Sequence, residues 1–180
     1  EEVMRAIGDC RATNAMLKSP PTTPLLSSDT LIRLLLFFDD PFFAEADLRH
    51  WFWQCGINKN DRNYFGIYID KKHYVFRALP MGFAWAPFLA QLIAREIVMH
   101  GCKLVVTEGN GFLRLSTREG VTLAFVCIYY DNFLVIAKDK HLRDTIHALL
   151  LKNAAYFGAR WKMVPEDPNK PASDENPLVA

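Results

Sequence analysis

One aspartate sits among aromatic and β-branched residues in Ile128-Tyr129-Tyr130-Asp131-Asn132-Phe133-Leu134-Val135. The two apolar runs predict a strand, a tight turn and a returning strand, with Asp131-Asn132 in the turn because that pair tolerates unusual backbone angles. A turn of this kind would hold its carboxylate on a rigid platform. Alone it carries little, since an aspartate in a hairpin turn is most often a solvated turn former. The second acid is Asp47, which closes the apolar run Phe42-Phe43-Ala44-Glu45-Ala46-Asp47-Leu48 just before the cluster Trp51-Phe52-Trp53. If the two strands lie side by side, the carboxylates of Asp47 and Asp131 converge. They then suit hard divalent cations, which take anionic oxygen ligands.

Composition bounds the rest. The 180 residues suit one domain or a fragment of a larger protein, and 51% hydrophobic with 13% aromatic residues is ample for a packed core. A formal charge of +1 excludes neither a nucleic-acid nor a small-molecule partner, because a basic cleft can sit on a nearly neutral domain. Cys10, Cys55, Cys102 and Cys127 show no C-x-x-C spacing, so neither a zinc site nor a disulfide framework is indicated and a reducing compartment is the default. The run Leu31 to Phe38 is interrupted by Arg33 and is too short to cross a bilayer. No membrane partner is expected, and an intracellular setting, nucleus or cytoplasm, is left open. The start at Glu1-Glu2 without methionine fits a piece excised from a longer protein.

These acids need elements to position them. Asp9 to Asn14 is read as a strand that puts Asp9 and Arg11 on one face, where a surface ion pair is the plain outcome. Lys18 to Asp29 holds three prolines and reads as a loop. Ser28 or Asp29 can cap a helix over Thr30 to Phe38, with Leu31, Leu34, Leu35 and Phe38 on one face, ended by Asp39-Asp40-Pro41. Tyr64 to Ile69 and His73 to Arg77 predict a hairpin around Asp70-Lys71-Lys72. A helix follows from Pro87 to about His100, with proline in its first turn. Glu108-Gly109-Asn110-Gly111 is a hairpin-turn signal inside Val105 to Ser116, and Asp139 to Phe157 reads as an amphipathic helix stopped by Gly158. Pro165 to Ala180 is expected to be a mobile tail.

Three stretches, in order, resemble the palm of a reverse transcriptase. Ala46-Asp47-Leu48 with Phe52 resembles the first palm motif. Leu79-Pro80-Met81-Gly82 with Ala86-Pro87 and Gln91 resembles the second, and Tyr129-Tyr130-Asp131-Asn132 resembles the Y-x-D-D box. Asp9, Arg11 and Asn14 match the D-x-R-x-x-N segment that precedes them in many members. The wording of the second motif is similar to hepadnaviral and tyrosine-recombinase-type retrotransposon enzymes. The implied fold is α+β: a right-hand polymerase palm, an antiparallel sheet with helices packed on one face, plus part of the fingers. Residues 1–180 would form a single such fragment, with the thumb beyond Ala180.

The resemblance implies template-directed nucleotidyl transfer to a primer end, with an RNA or DNA template, deoxynucleoside triphosphates and two magnesium ions, for which manganese could substitute. By the same carry-over Asp47 and Asp131 would be catalytic, and Leu48, through its carbonyl, and Asn132 would join them as metal ligands. Backbone amides near His50 and Trp51 would face the triphosphate. Phe52 would crowd a ribose 2′-hydroxyl, and Met81 and Gly82 would lie under the nucleotide and template. Phe52 and Met81 are also ordinary core residues by type.

Asn132 departs from the family's pattern, because the box ordinarily carries a second acid there. An amide offers an oxygen without charge, so a weakened rather than abolished metal site is expected. Lys162 lies near the place of a family lysine or histidine that can protonate pyrophosphate, although a solvated lysine is the plainer reading. The isolated fragment is expected to be inactive. Alternatives are a degenerate or co-opted copy that binds nucleic acid without catalysis, favoured by Asn132, and a viral-type RNA polymerase palm, disfavoured by Phe52. The histidines show no H-E-x-x-H spacing, and neither G-x-S-x-G nor G-x-x-x-x-G-K is present.

Overall fold

The computed structural model describes residues 8–162. The expected tail, 165–180, lies outside them. Strands form where β-branched and aromatic residues alternate: β1 (Phe42–Asp47), the hairpin β2 (Gly66–Ile69) and β3 (Lys72–Val75), then β4 (Val105–Glu108), β5 (Phe112–Ser116), β6 (Thr122–Tyr129) and β7 (Asn132–Ala137). Five of them build an antiparallel sheet in the order β1-β7-β6-β5-β4, while β2 and β3 pair only with each other. The first strand in the chain therefore lies beside the last, which is what a pair of distant acids requires.

Alternation along β6 and β7 separates two faces. Ala124, Val126, Ile128, Phe133, Val135 and Ala137 point into the main core, under α4 (Ala86–Met99) and α5 (Lys140–Tyr156). Ala90, Ala94 and Ile97 of α4 are fully buried there, with Ile146, Leu150 and Ala154 of α5. Small residues on α4 let the helix lie close to the sheet. Asn153 joins the two helices by donating through Nδ2 to the carbonyls of Ile97 and His100, each at 2.7 Å. The expected stop is present, since Gly158 has φ 72 just after α5.

The other face is only partly covered. Phe125, Cys127 and Ile136 pack with Leu34 of α2 (Ser28–Leu35) and with Leu31, Leu35 and Phe38. The expected apolar stripe on this helix is thus real, but its bounds differ. Ser27, not Ser28 or Asp29, accepts from the Thr30 amide at 3.2 Å, and the helix stops at Leu35, ahead of Asp39-Asp40-Pro41.

Three further readings are corrected. The stretch expected as a strand from Asp9 becomes α1 (Arg11–Met16), because Asp9 takes the Arg11 backbone amide at 3.2 Å while its carboxylate pairs with the guanidinium at 2.7–3.2 Å. The Asp9–Arg11 pair itself is present and exposed. In the second hairpin the turn is Asp70-Lys71 alone, both at positive φ, and Lys72 already pairs with Ile69. In the key hairpin the turn is Tyr130-Asp131, since Asn132 is the first residue of β7 and pairs with Tyr129. Two short elements had no sequence signal: α3 (Trp51–Gln54) and a 3-10 helix over Lys59–Phe65.

Candidate active site

Register places the acids. β1 runs antiparallel to β7 with Asp47 opposite Asn132, and the Leu48 amide donates to the Asp131 carbonyl at 2.7 Å. Asp47 and Asn132, being directly opposed, share a face, and alternation assigns it. Asn132 is in phase with Leu134 and Ile136, so this is the face away from α4 and α5. The side chain of Asp47 is 39% exposed, Asp131 is half-buried and Asn132 is exposed. An apolar groove of about 190 Å³, lined by residues including Leu26, Leu31, Cys127, Tyr129 and Asn132, runs up to the turn on the same side.

The turn is held from the α4 side. Tyr130 has φ 56, a left-handed conformation uncommon for an aromatic residue. Buried Gln91 on α4 accepts the Tyr130 amide through Oε1 at 2.9 Å and donates through Nε2 to the Ile128 carbonyl at 2.9 Å. Both ends of one amide are therefore satisfied by the backbone of this hairpin, which fixes its strained corner. Phe52 is half-buried with its ring 6.1 Å from that of Tyr130, and Tyr129 meets Tyr130 edge-on at 5.0 Å. Burial, then the neighbouring Tyr129, push the Tyr130 hydroxyl pKa up.

Lys162 is not simply a solvated lysine. Its amide donates to the Asp47 carbonyl at 2.7 Å and its Nζ lies 3.9 Å from Asp47 Oδ2, although the side chain is 69% exposed. Gln54, which carried no signal in the sequence, secures this segment. It donates to the carbonyls of Arg49 and Arg160 and accepts the Arg160 amide at 2.6 Å. The backbone of Lys162 is thereby fixed beside Asp47, while its ammonium stays largely in solvent.

The remaining candidates are more dispersed. His50 is exposed at φ 48, just ahead of α3, and its carbonyl accepts the Trp53 amide at 2.9 Å. The Trp51 indole is buried and donates to Ala90 at 3.2 Å, so its side chain belongs to the core and only its backbone could meet a ligand. Met81 is half-buried and Gly82 is exposed with φ 104. Asn14 of α1 holds their loop by donating to the Gly82 carbonyl at 3.0 Å and accepting the Ala84 amide at 2.9 Å. The resemblance placed Asn14 only by motif order; the hydrogen bonds show that its side chain holds the loop of the second motif.

By type, the carboxylates of Asp47 and Asp131, the Asn132 amide oxygen and the Leu48 carbonyl are hard oxygen donors, suited to magnesium or manganese rather than to soft metals. Among the described residues no group of three or more His, Cys, Asp or Glu gathers. Backbone register thus sets Asp47 opposite Asn132 and next to the turn that carries Asp131, with an amide where a further carboxylate would add charge.

The fold, an antiparallel sheet with packed helices, is similar to that of solved viral reverse transcriptases. Among solved structures, the foamy viral protease-reverse transcriptase in complex with double-stranded DNA superposes with a TM-score of 0.62 at 17% identity, over 88% of this chain and 24% of that one. The native prototype foamy virus protease-reverse transcriptase gives 0.56 at 16% identity, over 85% of this chain and 17% of that one. By sequence, the Gag-Pol polyprotein of walleye dermal sarcoma virus is 27% identical over 157 residues, which are 86% of this chain and 8% of the polyprotein. The genome polyprotein of petunia vein clearing virus is 39% identical over 49 residues, which are 27% of this chain and 2% of that protein. The chain thus spans a small share of each relative's length. No protein-family profile matches it.

Proposed function

We propose that the chain is the palm and partial fingers of an RNA-directed DNA polymerase from a retroelement, adding deoxynucleotides to a primer 3′ end. The observation that carries this reading is the register of β1 against β7, with Asp47 opposite Asn132 and Leu48 bonded to the Asp131 backbone. Asp47 and Asp131, with the Leu48 carbonyl and Asn132, would hold two magnesium ions, or manganese in their place. Such ions, when bound, supply positive charge for the attacking and leaving oxygens of phosphoryl transfer. The protein's own part is preorganisation. Gln91 and the Leu48 amide fix the Tyr130-Asp131 corner, so its carboxylate need not be reordered during reaction.

Phe52 supports the preference for deoxynucleotides, because a half-buried ring braced by Tyr130 cannot easily yield to a 2′-hydroxyl. Backbone amides around His50 and Trp51 would meet the triphosphate, and Met81 with Gly82 the nucleotide and template. The foamy viral relative was solved on double-stranded DNA; a template-primer duplex is accordingly the partner proposed here. A second reading, a degenerate copy that binds nucleic acid without catalysis, is favoured by Asn132 alone.

The deciding experiment is primer extension on an RNA template by the full-length product of the encoding gene, with magnesium or manganese. Deoxynucleotides should be incorporated in preference to ribonucleotides, and Asp131→Ala should abolish extension. Extension that survives Asp131→Ala removes the site assignment. Template binding without extension by the wild type favours the degenerate copy.

A further inference from the structure

A second surface, built on the β2–β3 hairpin, is exposed on both sides. Tyr68, Ile69, Tyr74 and Val75 lie there with between 46% and 62% of their surface in solvent. Two strands without a packed face are marginal in water, so this hairpin is suited to acquiring a cover in use. Its tip is also unusual. Asp70 and Lys71 take φ 48 and 62, angles at which asparagine and glycine sit more easily. The strained corner keeps a lysine at the tip, next to Lys72.

Charge and shape narrow what the cover is. Between residues 59 and 77 the chain places Lys59, Arg62, Lys71, Lys72 and Arg77 against only Asp61 and Asp70, in a protein whose overall charge is +1. Tyr68 and His73 are cross-strand partners with ring centroids 4.7 Å apart and planes tilted by 48°, which makes a small aromatic platform beside Lys71 at the tip, on the face opposite to Lys72. Rings next to ammonium groups are what a single strand of nucleic acid uses, its bases stacking while its phosphates are neutralised. Another copy of the hairpin would instead oppose lysine to lysine.

We propose that the β2–β3 hairpin docks a single-stranded polynucleotide, with bases on the Tyr68–His73 platform and a phosphate at Lys71 of the tip. The class of ligand rests on the polymerase reading; the surface itself uses neither Asp47 nor Asp131. The test is fluorescence anisotropy of the intact chain with labelled oligothymidylate over a range of KCl concentrations. Lys71→Ala should weaken binding and reduce the slope of log affinity against log salt by about 0.7, one phosphate contact being lost. Tyr68→Ser should weaken it roughly tenfold through lost stacking, while Tyr68→Phe retains it.

Circular dichroism guards against misfolded variants, and photocrosslinking of wild type to a 4-thiothymidine oligonucleotide bypasses variants altogether. Crosslinks within 64–77 support the proposal. Crosslinks only elsewhere, or unchanged affinity in the folded variants, overturn it. So does a concentration-dependent dimer, seen by sedimentation, that these substitutions break while affinity is unchanged. Binding through the hairpin without any primer extension by the full-length protein would defeat the polymerase reading and leave this one standing; extension without hairpin binding would do the reverse.

Discussion

Gln91 accepts the backbone amide of Tyr130 from across 39 residues of sequence, and this one bond connects the second motif to the corner that carries Asp131. The same side chain donates to Ile128, so the hairpin is gripped on both sides of its exposed Tyr129. Replacing it by an apolar residue of similar size leaves a buried N–H and a buried C=O without partners. Gln91→Leu should lower stability by roughly 1–3 kcal/mol, read by thermal or urea unfolding. It should also cut extension in the full-length protein by more than the lost stability explains. Equal stability in Gln91→Leu would show that the corner holds itself.

Asn132 faces Asp47 across the β1–β7 pair, in the position where the motif ordinarily carries a second acid. Restoring the charge should tighten the cation site. One added unit charge at ~4 Å is worth about 1 kcal/mol even in bulk water, so Asn132→Asp should strengthen apparent magnesium affinity roughly fivefold or more. Titrating extension against magnesium measures it. Unchanged magnesium dependence in an active protein would remove charge deficit as the meaning of the substitution.

The sheet and both long helices were legible because their signals are local: alternation in β6 and β7, proline at the start of α4, glycine after α5. What stayed hidden depends on distant partners. The hairpin turn sits one residue earlier than Asp131-Asn132 suggested, and its positive φ falls on a tyrosine whose amide Gln91 accepts. The segment at Asp9 looked like a strand because six residues are too few to show a helical period, and its acid turns back on Arg11. Lys162 reads as a surface lysine until Gln54 and the Leu48–Trp161 bridge bring its segment against β1. Of the polar clamps, Gln91 stood in the second motif without its bonds to the hairpin backbone being legible, and Gln54 had no pattern of its own, because both act on backbone groups far away in the chain.

Gly111 gives a sharper test of the cover on the second face. It has φ 80, and a Cβ there would run into the backbone of Leu25 and Leu26, the segment leading to α2. Its carbonyl also accepts the Ile128 amide at 3.0 Å. Gly111→Ala combines a left-handed backbone with a clash that no side-chain rotation relieves. A loss of roughly 2 kcal/mol or more is expected from denaturant unfolding. Gly120→Ala, at φ 85 but with open space around it, should cost less and serves as the control.

The buried thiols predict how stability responds to base. Burial pushes Cys55 and Cys127 up to about 12 from an ordinary value of 9.0. In the unfolded chain both would ionise near pH 9, whereas the folded chain keeps their protons, so above pH 9 the native state binds more protons than the unfolded state. Stability is then fully present below pH 9 and falls progressively between pH 9 and about 12. Thermal unfolding in that window should show a falling midpoint that Cys55→Ala with Cys127→Ala flattens, after correction for the cavity cost of each truncation. At neutral pH the half-buried Cys102 should react first with Ellman's reagent, and Cys55 and Cys127 only as the chain unfolds. Prompt reaction of Cys127 in the folded protein would mean that the face carrying Asp47 and Asn132 is more open than its packing against α2 implies.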